Sequence, residues 1–498
     1  MNTRSSRRTF LKSSLAAAAG AGLSRIAFGD DPIPGAKAAP QKIPATADSM
    51  ILIYLPGGVA QTDMWDPKTH TPFVKDMKGS EMLGTCPSIP TAADGIRFGA
   101  GLENIASVMN KGALLRTLSN ETKFGAVHLK AQYYLMTGYL FPAGVKAPSI
   151  GAMVGRSTGR RNEHIPPYIY IGRDIDTSDS EKLFISEYLS PGFYGVNHAP
   201  FMIPDPAQGL STLGVAAGMS RERLDRRLDY LKRLAAFNGR EFNESEKAAG
   251  YMKVMEDARA MMDSPVKKAF DFARDEKPET LQAYEPEIAK EKLLDKSYYY
   301  GNRFGNSLLL ARRLVESGSR FVQVEYQYGP FKGFDMHENG YLRIAEMKRQ
   351  VDRPIAQLIK DLDQRGLLDR TLVCIMTEFG RTIASAPAAG SEPDGFAERH
   401  TGEKLILQNE KMYGFHGHFS SCNCVLFFGG GVKKGFAYGK TAENHPMLPV
   451  ENPVNLSDVH ATIFKAMGLP PDMNFVTEGR PFYLTKDGKG KAIDALLA

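Results

Sequence analysis

The stretch 367–382, LLDRTLVCIMTEFGRT, constrains the fold more than any other part of the chain. Residues 371–377 are β-branched and apolar almost without interruption, and they come after a helical pattern. That is how a central parallel strand of an α/β sheet reads. Glu378 and Arg381 come where the strand stops, around Gly380. Open α/β sheets bind ligands just past the carboxyl ends of their strands, so both residues are candidates for a site.

The neighbouring segments point to the same edge. Residues 320–327 alternate as a second strand, followed by Asp335 and His337 in a glycine-bearing loop. In extended chain, residues two apart face the same way, so this carboxylate and imidazole can address one point. Between the two strands Ile344, Met347, Val351, Ile355, Leu358, Ile359 and Leu362 recur at helical spacing, and Gly366 stops the pattern. Strand, helix, strand predicts a right-handed parallel crossover with both strand ends on one edge. Downstream, His416 and His418 form another pair two residues apart, ahead of a strand over 423–428 and a triple-glycine turn. Three polar clusters should therefore converge.

Residues 1–29 read as an address. Arg7 and Arg8 sit in a twin-arginine pattern, an Ala-rich apolar run comes next, and Ala27 and Gly29 supply small residues for cleavage. Residues 30–47, rich in Pro, Ala and Lys, read as a flexible tether to a domain over 48–498. The formal charge of +6 belongs mostly to the address, where Arg4, Arg7, Arg8, Lys12 and Arg25 meet no acid. The remainder, near +1, argues neither for nucleic acid nor for a membrane surface, and no other stretch is apolar enough to span a bilayer. Four cysteines, Cys86, Cys374, Cys422 and Cys424, read as core thiols rather than a disulfide framework.

Elsewhere, a strand over 50–55 ends in Pro56, Gly57 and Gly58, which allow a sharp turn and close approach to a ligand, or simply a tight turn with Asp63 or Asp66 capping the next segment. A strand over 112–118 precedes His128, which opens a short helical pattern with Leu129, Tyr133 and Met136; a lone histidine there reads first as structural. A further strand is expected at 167–172. Residues 211–300 read as a helical insertion covering the sheet, with Leu224, Leu228, Leu231 and Leu234 on one helix capped by Ser220. Ser457 is expected to cap a last helix, with Asp458 and His460 structural in its first turn.

Taken together, Gly57-Gly58 with Asp63, Asp66 and Lys68, the Asp335-x-His337 loop, Glu378-Phe379-Gly380-Arg381-Thr382, the turn at Gly429, Asp458-Val459-His460 and Gly479-Arg480-Pro481-Phe482 make the chain similar to the DUF1501 family of exported bacterial proteins, relatives of the alkaline phosphatase and sulfatase superfamily. The resemblance implies an alkaline phosphatase-like three-layer sandwich, a largely parallel mixed sheet with helices on both faces. It implies a hydrolase of phosphate or sulfate esters, small or polysaccharide-linked, placed in the periplasm or outside the cell. A divalent metal, zinc by its ligands, would be held by Asp335, His337 and His418, with Glu378 as fourth ligand or base, Arg381 holding an anionic group, and Thr62 left as candidate nucleophile because the usual Gly-Gly-x-Ser is Gly57-Gly58-Val59-Ala60. Where the superfamily carries Asp-His, this chain has Glu378-Phe379, and the sulfatase signature of Cys or Ser, any residue, Pro, any residue, Arg is absent. The competing reading is a non-catalytic envelope protein that uses the crevice for binding or assembly.

Overall fold

The computed structural model describes residues 43–119, 127–141, 145–172, 186–213, 218–237, 246–294, 296, 302–327, 333–383, 405–477 and 479–498. The expected address over 1–29, and the tether as far as 42, lie outside the described residues. The tether's last residues are docked: Thr46 and Ala47 both donate backbone N–H groups to the Ala466 carbonyl at 2.9 Å.

The strands that place the site are β1 (Ser49–Tyr54), β2 (Gly112–Ser119), β3 (Tyr168–Ile171), β4 (Phe201–Ile203), β5 (Phe321–Glu325), β6 (Thr371–Met376), β7 (Gly380–Arg381), β8 (His418–Phe419), β9 (Asn423–Phe428), β10 (Phe436–Tyr438) and β11 (Val454–Asn455). The longer helices among the described residues are α1 (His128–Thr137), α2 (Ile150–Thr158), α3 (Arg221–Phe237), α4 (Glu246–Asp263), α5 (Arg303–Glu316), α6 (Gly340–Gln364) and α7 (Leu456–Ala466). The main sheet runs β10-β2-β9-β6-β1-β5-β3-β4, with β11 also beside β2. Only β9 is antiparallel to its neighbours; every other pairing in this sheet is parallel. The chain is thus an α/β protein with a mixed, largely parallel sheet.

Alternation along the central strands divides the core into two layers. Ile51, Ile53, Val373 and Ile375 face Leu308, Leu314, Val351, Ile355 and Leu358 of α5 and α6. Met50, Leu52, Leu372, Cys374 and Met376 face Tyr133, Met153, Val459 and Ile463 of α1, α2 and α7. Because β1, β6 and β9 are buried on both faces, each reads as a continuous apolar run. All four cysteines are free. Between β4 and β5 the described chain is mostly helical, including α3 and α4. The cap of α7 differs from expectation: Asn455, not Ser457, accepts from the Asp458 N–H, since Leu456 already begins the helix. No helix among the described residues is long and apolar enough to cross a membrane.

The Gly57-Gly58 turn makes its close approach to the protein itself. Gly57 and Gly58 have φ of +113° and +79°. A Cβ on Gly57 would lie 2.4 Å from the Asp335 nitrogen, and one on Gly58 2.6 Å from the Phe379 ring. The two glycines therefore let the turn after β1 nest against the loops after β5 and β6.

Candidate metal centre

Parallel pairing of β1 with β5 and β6 brings three carboxyl ends side by side. Two further segments reach the same edge. The ribbon β7–β8 sets His418 directly opposite Arg381. And since β9 is antiparallel to both β2 and β6, β2 runs parallel to β6, so α1, which comes after β2, starts there with His128.

Asp335 Oδ1 is the focus. His128 Nε2 and His337 Nε2 each lie 3.1 Å from it, and His418 Nε2 lies 3.7 Å away. Arg381 Nη2 donates to the same oxygen at 2.6 Å. His128, Asp335 and His418 each offer a ligand atom, all within 4.8 Å of one another. His337, 36 % exposed against 12 % for His128 and 23 % for His418, sits on the solvent side.

Two buried side chains hold these groups from behind. Glu378 Oε1 accepts from the Gly57 N–H and faces His128 Nδ1, both at 2.8 Å, while Oε2 accepts from the Tyr54 and Thr377 hydroxyls at 3.1 and 3.2 Å. Arg381 gives Nε to the Gly58 carbonyl and Nη1 to the Met336 carbonyl, each at 3.1 Å, and Nη2 also to the Gly57 carbonyl. Gln61 clamps the Arg381 backbone, accepting from its N–H at 2.8 Å and donating to its carbonyl at 3.1 Å. The anion that Arg381 holds is thus the protein's own Asp335. Glu378 lies behind His128 rather than among the converging atoms. Thr62 is buried, and its hydroxyl has no hydrogen-bond partner among the described residues.

The electrostatics favour two neutral imidazoles, His337 and His418, and a charged His128 between the Asp335 and Glu378 carboxylates. Burial, followed by the Arg381 charge, pushes His418 down to about 3, and burial also lowers His337. Burial opposes charge on Asp335, but His128 and the other imidazoles hold its carboxyl far below the usual range. His128 is pulled down by burial and up more strongly by Asp335 and Glu378.

The donor set fits a divalent ion. In its neutral form, with Nδ1–H donated to Glu378, His128 would turn an Nε2 lone pair toward Asp335 Oδ1 at 3.1 Å. Two such lone pairs repel unless a proton or a cation lies between them. A carboxylate behind a ligating imidazole is also the usual way its tautomer is set. The opposing term is the buried Arg381 charge on the same oxygen.

A cavity of about 580 Å³ lies along the ribbon, lined by Gln61, Arg381, Thr382, Phe419, His445 and Met447 among others. His445, which has no role in the sequence reading, is therefore near the site.

The sequence reading brought Asp335, His337 and His418 to one edge and left His128 as structural. The signal that could have found His128 is its position at a helix start after a strand of the same sheet. By contrast His460, also near a helix start, has its Nε2 on the Leu135 carbonyl at 2.9 Å, as a structural histidine does.

No curated protein matches the chain. Among solved structures it is similar to the lipoteichoic acid synthase LtaP from Listeria monocytogenes, at 9 % identity over 89 % of this chain and 76 % of that one, with a TM-score of 0.35. It is similar to the phosphonate monoester hydrolase SpPMH from Silicibacter pomeroyi, at 11 % identity over the same shares, TM-score 0.35. It is also similar to a variant of the alkaline phosphatase PafA, at 10 % identity over 93 % of this chain and 100 % of that one, TM-score 0.35. Likenesses of this size carry no argument about chemistry, which rests on the atoms around Asp335. A family model described as "Protein of unknown function (DUF1501)" matches residues 47–497, most of the chain, and the chain belongs to that family.

Proposed function

We propose that the protein is an exported, metal-dependent hydrolase-like enzyme that cleaves a phosphate or sulfate ester, small or polysaccharide-linked, where β1, β5 and β6 end. The observation that carries this reading is the convergence of His128, Asp335 and His418, from segments far apart in sequence, on a volume fit for one ion. A divalent ion, zinc by the preference of two imidazoles and a carboxylate, would supply a Lewis acid for an ester oxygen and acidify a water.

The chain's own part is to hold the donors and move a proton. Glu378 fixes the ring of His128, and Arg381 fixes Asp335. His337, the most exposed of the three imidazoles, has Nε2 committed to Asp335, so Nδ1 is the atom proposed to accept or return a proton. Thr62 has no part in this scheme, and neither does a substrate contact from Arg381, whose guanidinium is committed to Asp335 and to backbone carbonyls.

The test is hydrolysis of p-nitrophenyl phosphate, bis(p-nitrophenyl) phosphate and p-nitrophenyl sulfate by full-length protein purified without chelator. Activity toward at least one ester should fall to background on chelation and return with zinc. A metal-replete protein inert toward all three would replace this reading with a non-catalytic envelope binding protein.

Export by the twin-arginine route rests on Arg7 and Arg8 ahead of the apolar run. The Arg7→Lys, Arg8→Lys variant should accumulate as precursor in the cytoplasm. Mature-sized double variant in the envelope fraction would contradict that route.

A further inference from the structure

A second meeting of reactive groups lies apart from the converging histidines. Cys86 is the one cysteine that is not buried. Its Sγ lies 3.2 Å from Lys348 Nζ, and the thiol is steered by a contact with the Asp63 carbonyl at 3.5 Å. Lys348 enters from α6 and is 1 % exposed. Its other partner is the Ala100 carbonyl at 2.9 Å, and no carboxylate pairs with it among the described residues. Two glycines make its path: a Cβ on Gly99 would come within 2.9 Å of Nζ, and one on Gly101 within 3.2 Å of Cδ. Burying an amine without a carboxylate is costly. Holding it against a thiol is the feature to be explained.

We propose that Cys86 and Lys348 join through a covalent sulfur–nitrogen bond when the protein meets a peroxide. In the first step the Cys86 thiol attacks hydrogen peroxide, the O–O bond breaks, and a sulfenic acid and one water result. In the second, Lys348 Nζ attacks the sulfenic sulfur, an S–N bond forms and the S–O bond breaks. The departing hydroxide leaves as water with one proton from nitrogen, and any further ammonium proton goes to solvent. Sulfur is oxidised, peroxide is reduced, and nitrogen keeps its oxidation state. Sulfenic acids are known to condense with nitrogen in this way. The separation of 3.2 Å is already that of a near-attack arrangement. Cys86 is partly exposed, so peroxide can reach it, while Lys348 is held within reach of its sulfur. Burial, then Asp63, push the Cys86 thiol up, with Lys348 pulling the other way, so the first step is slow and calls for excess peroxide. Cys374, Cys422 and Cys424 are buried and have no such amine partner among the described residues.

The experiment is peptide mapping by mass spectrometry of the full chain, with and without hydrogen peroxide, after alkylation of free thiols. The expected product is a linked pair of peptides containing Cys86 and Lys348, lighter than their sum by two hydrogens and separated again by dithiothreitol. Alkylation of Cys86 should fall as that product rises. In Lys348→Met the same treatment should give only sulfenic and sulfinic acids at Cys86. Three results would overturn the proposal: Cys86 still fully alkylated after peroxide, Cys86 oxidised with Lys348 unlinked in the wild type, or a linked pair that retains an oxygen atom. Because the wild-type map decides alone, failure of Lys348→Met to fold leaves the test intact.

Discussion

Arg381→Met should be among the most destabilising single changes in this protein, lowering unfolding free energy by about 3–5 kcal/mol, the usual cost of removing one partner of a buried ion pair. The variant keeps similar bulk, so cavity formation contributes little. What it loses is the charge on Asp335 Oδ1 and the donors to the Gly57, Gly58 and Met336 carbonyls. These acceptors sit where water cannot replace the guanidinium, and each is left with the cost of a buried unpaired group. Arg381→Lys should recover only part of the loss, because an ammonium cannot span three carbonyls and a carboxylate in the planar fork that Arg uses. Equilibrium urea unfolding reads the difference. A loss below about 1 kcal/mol for Arg381→Met, within the range of ordinary surface substitutions, would mean that the clamp is not built as described.

The same contacts show which parts of the molecule could be read from sequence. The strands β1, β6 and β9 were legible because a strand buried on both faces leaves an uninterrupted apolar run, β5 because its residues alternate, and α6 because its apolar face repeats over many turns. Asp335 with His337, and His418, were legible because they lie close to such runs, at the strand edge where ligands bind. His128 was not. Its importance depends on β2 lying parallel to β6 two strands away, a matter of sheet order that no local pattern carries. The work of Glu378 and Arg381 was misjudged for a related reason. Both were placed at the correct edge, but whether a buried polar group faces a ligand or the protein depends on what packs behind it, namely Gly57, Gly58, Met336 and His128. Likewise the glycine turn announces a close approach without saying to what.

His445 lines the cavity beside the ribbon and contacts the Met82 carbonyl at 2.6 Å, so it is too near the site to serve as a control histidine. His164 is the better control, being 43 % exposed and paired with the neighbouring Glu163.

Loss of the ion should be the largest functional effect of any pair of substitutions. His128 and His418 supply both imidazoles of the converging set, and what remains, Asp335 already tied to Arg381 and the solvent-side His337, is a weak site for a divalent ion. Each histidine is replaced from a different element, α1 and β8, so the double variant removes donors without deleting a shared support. The direct measurement is metal content by inductively coupled plasma mass spectrometry on the full chain purified without chelator, as wild type, His128→Ala with His418→Ala, and His164→Ala. One divalent ion per chain in the wild type and the His164 variant, and none in the double variant, is the predicted result. An ion retained at full occupancy by the double variant, or a wild-type chain that binds none when zinc is supplied, would contradict a metal centre at Asp335.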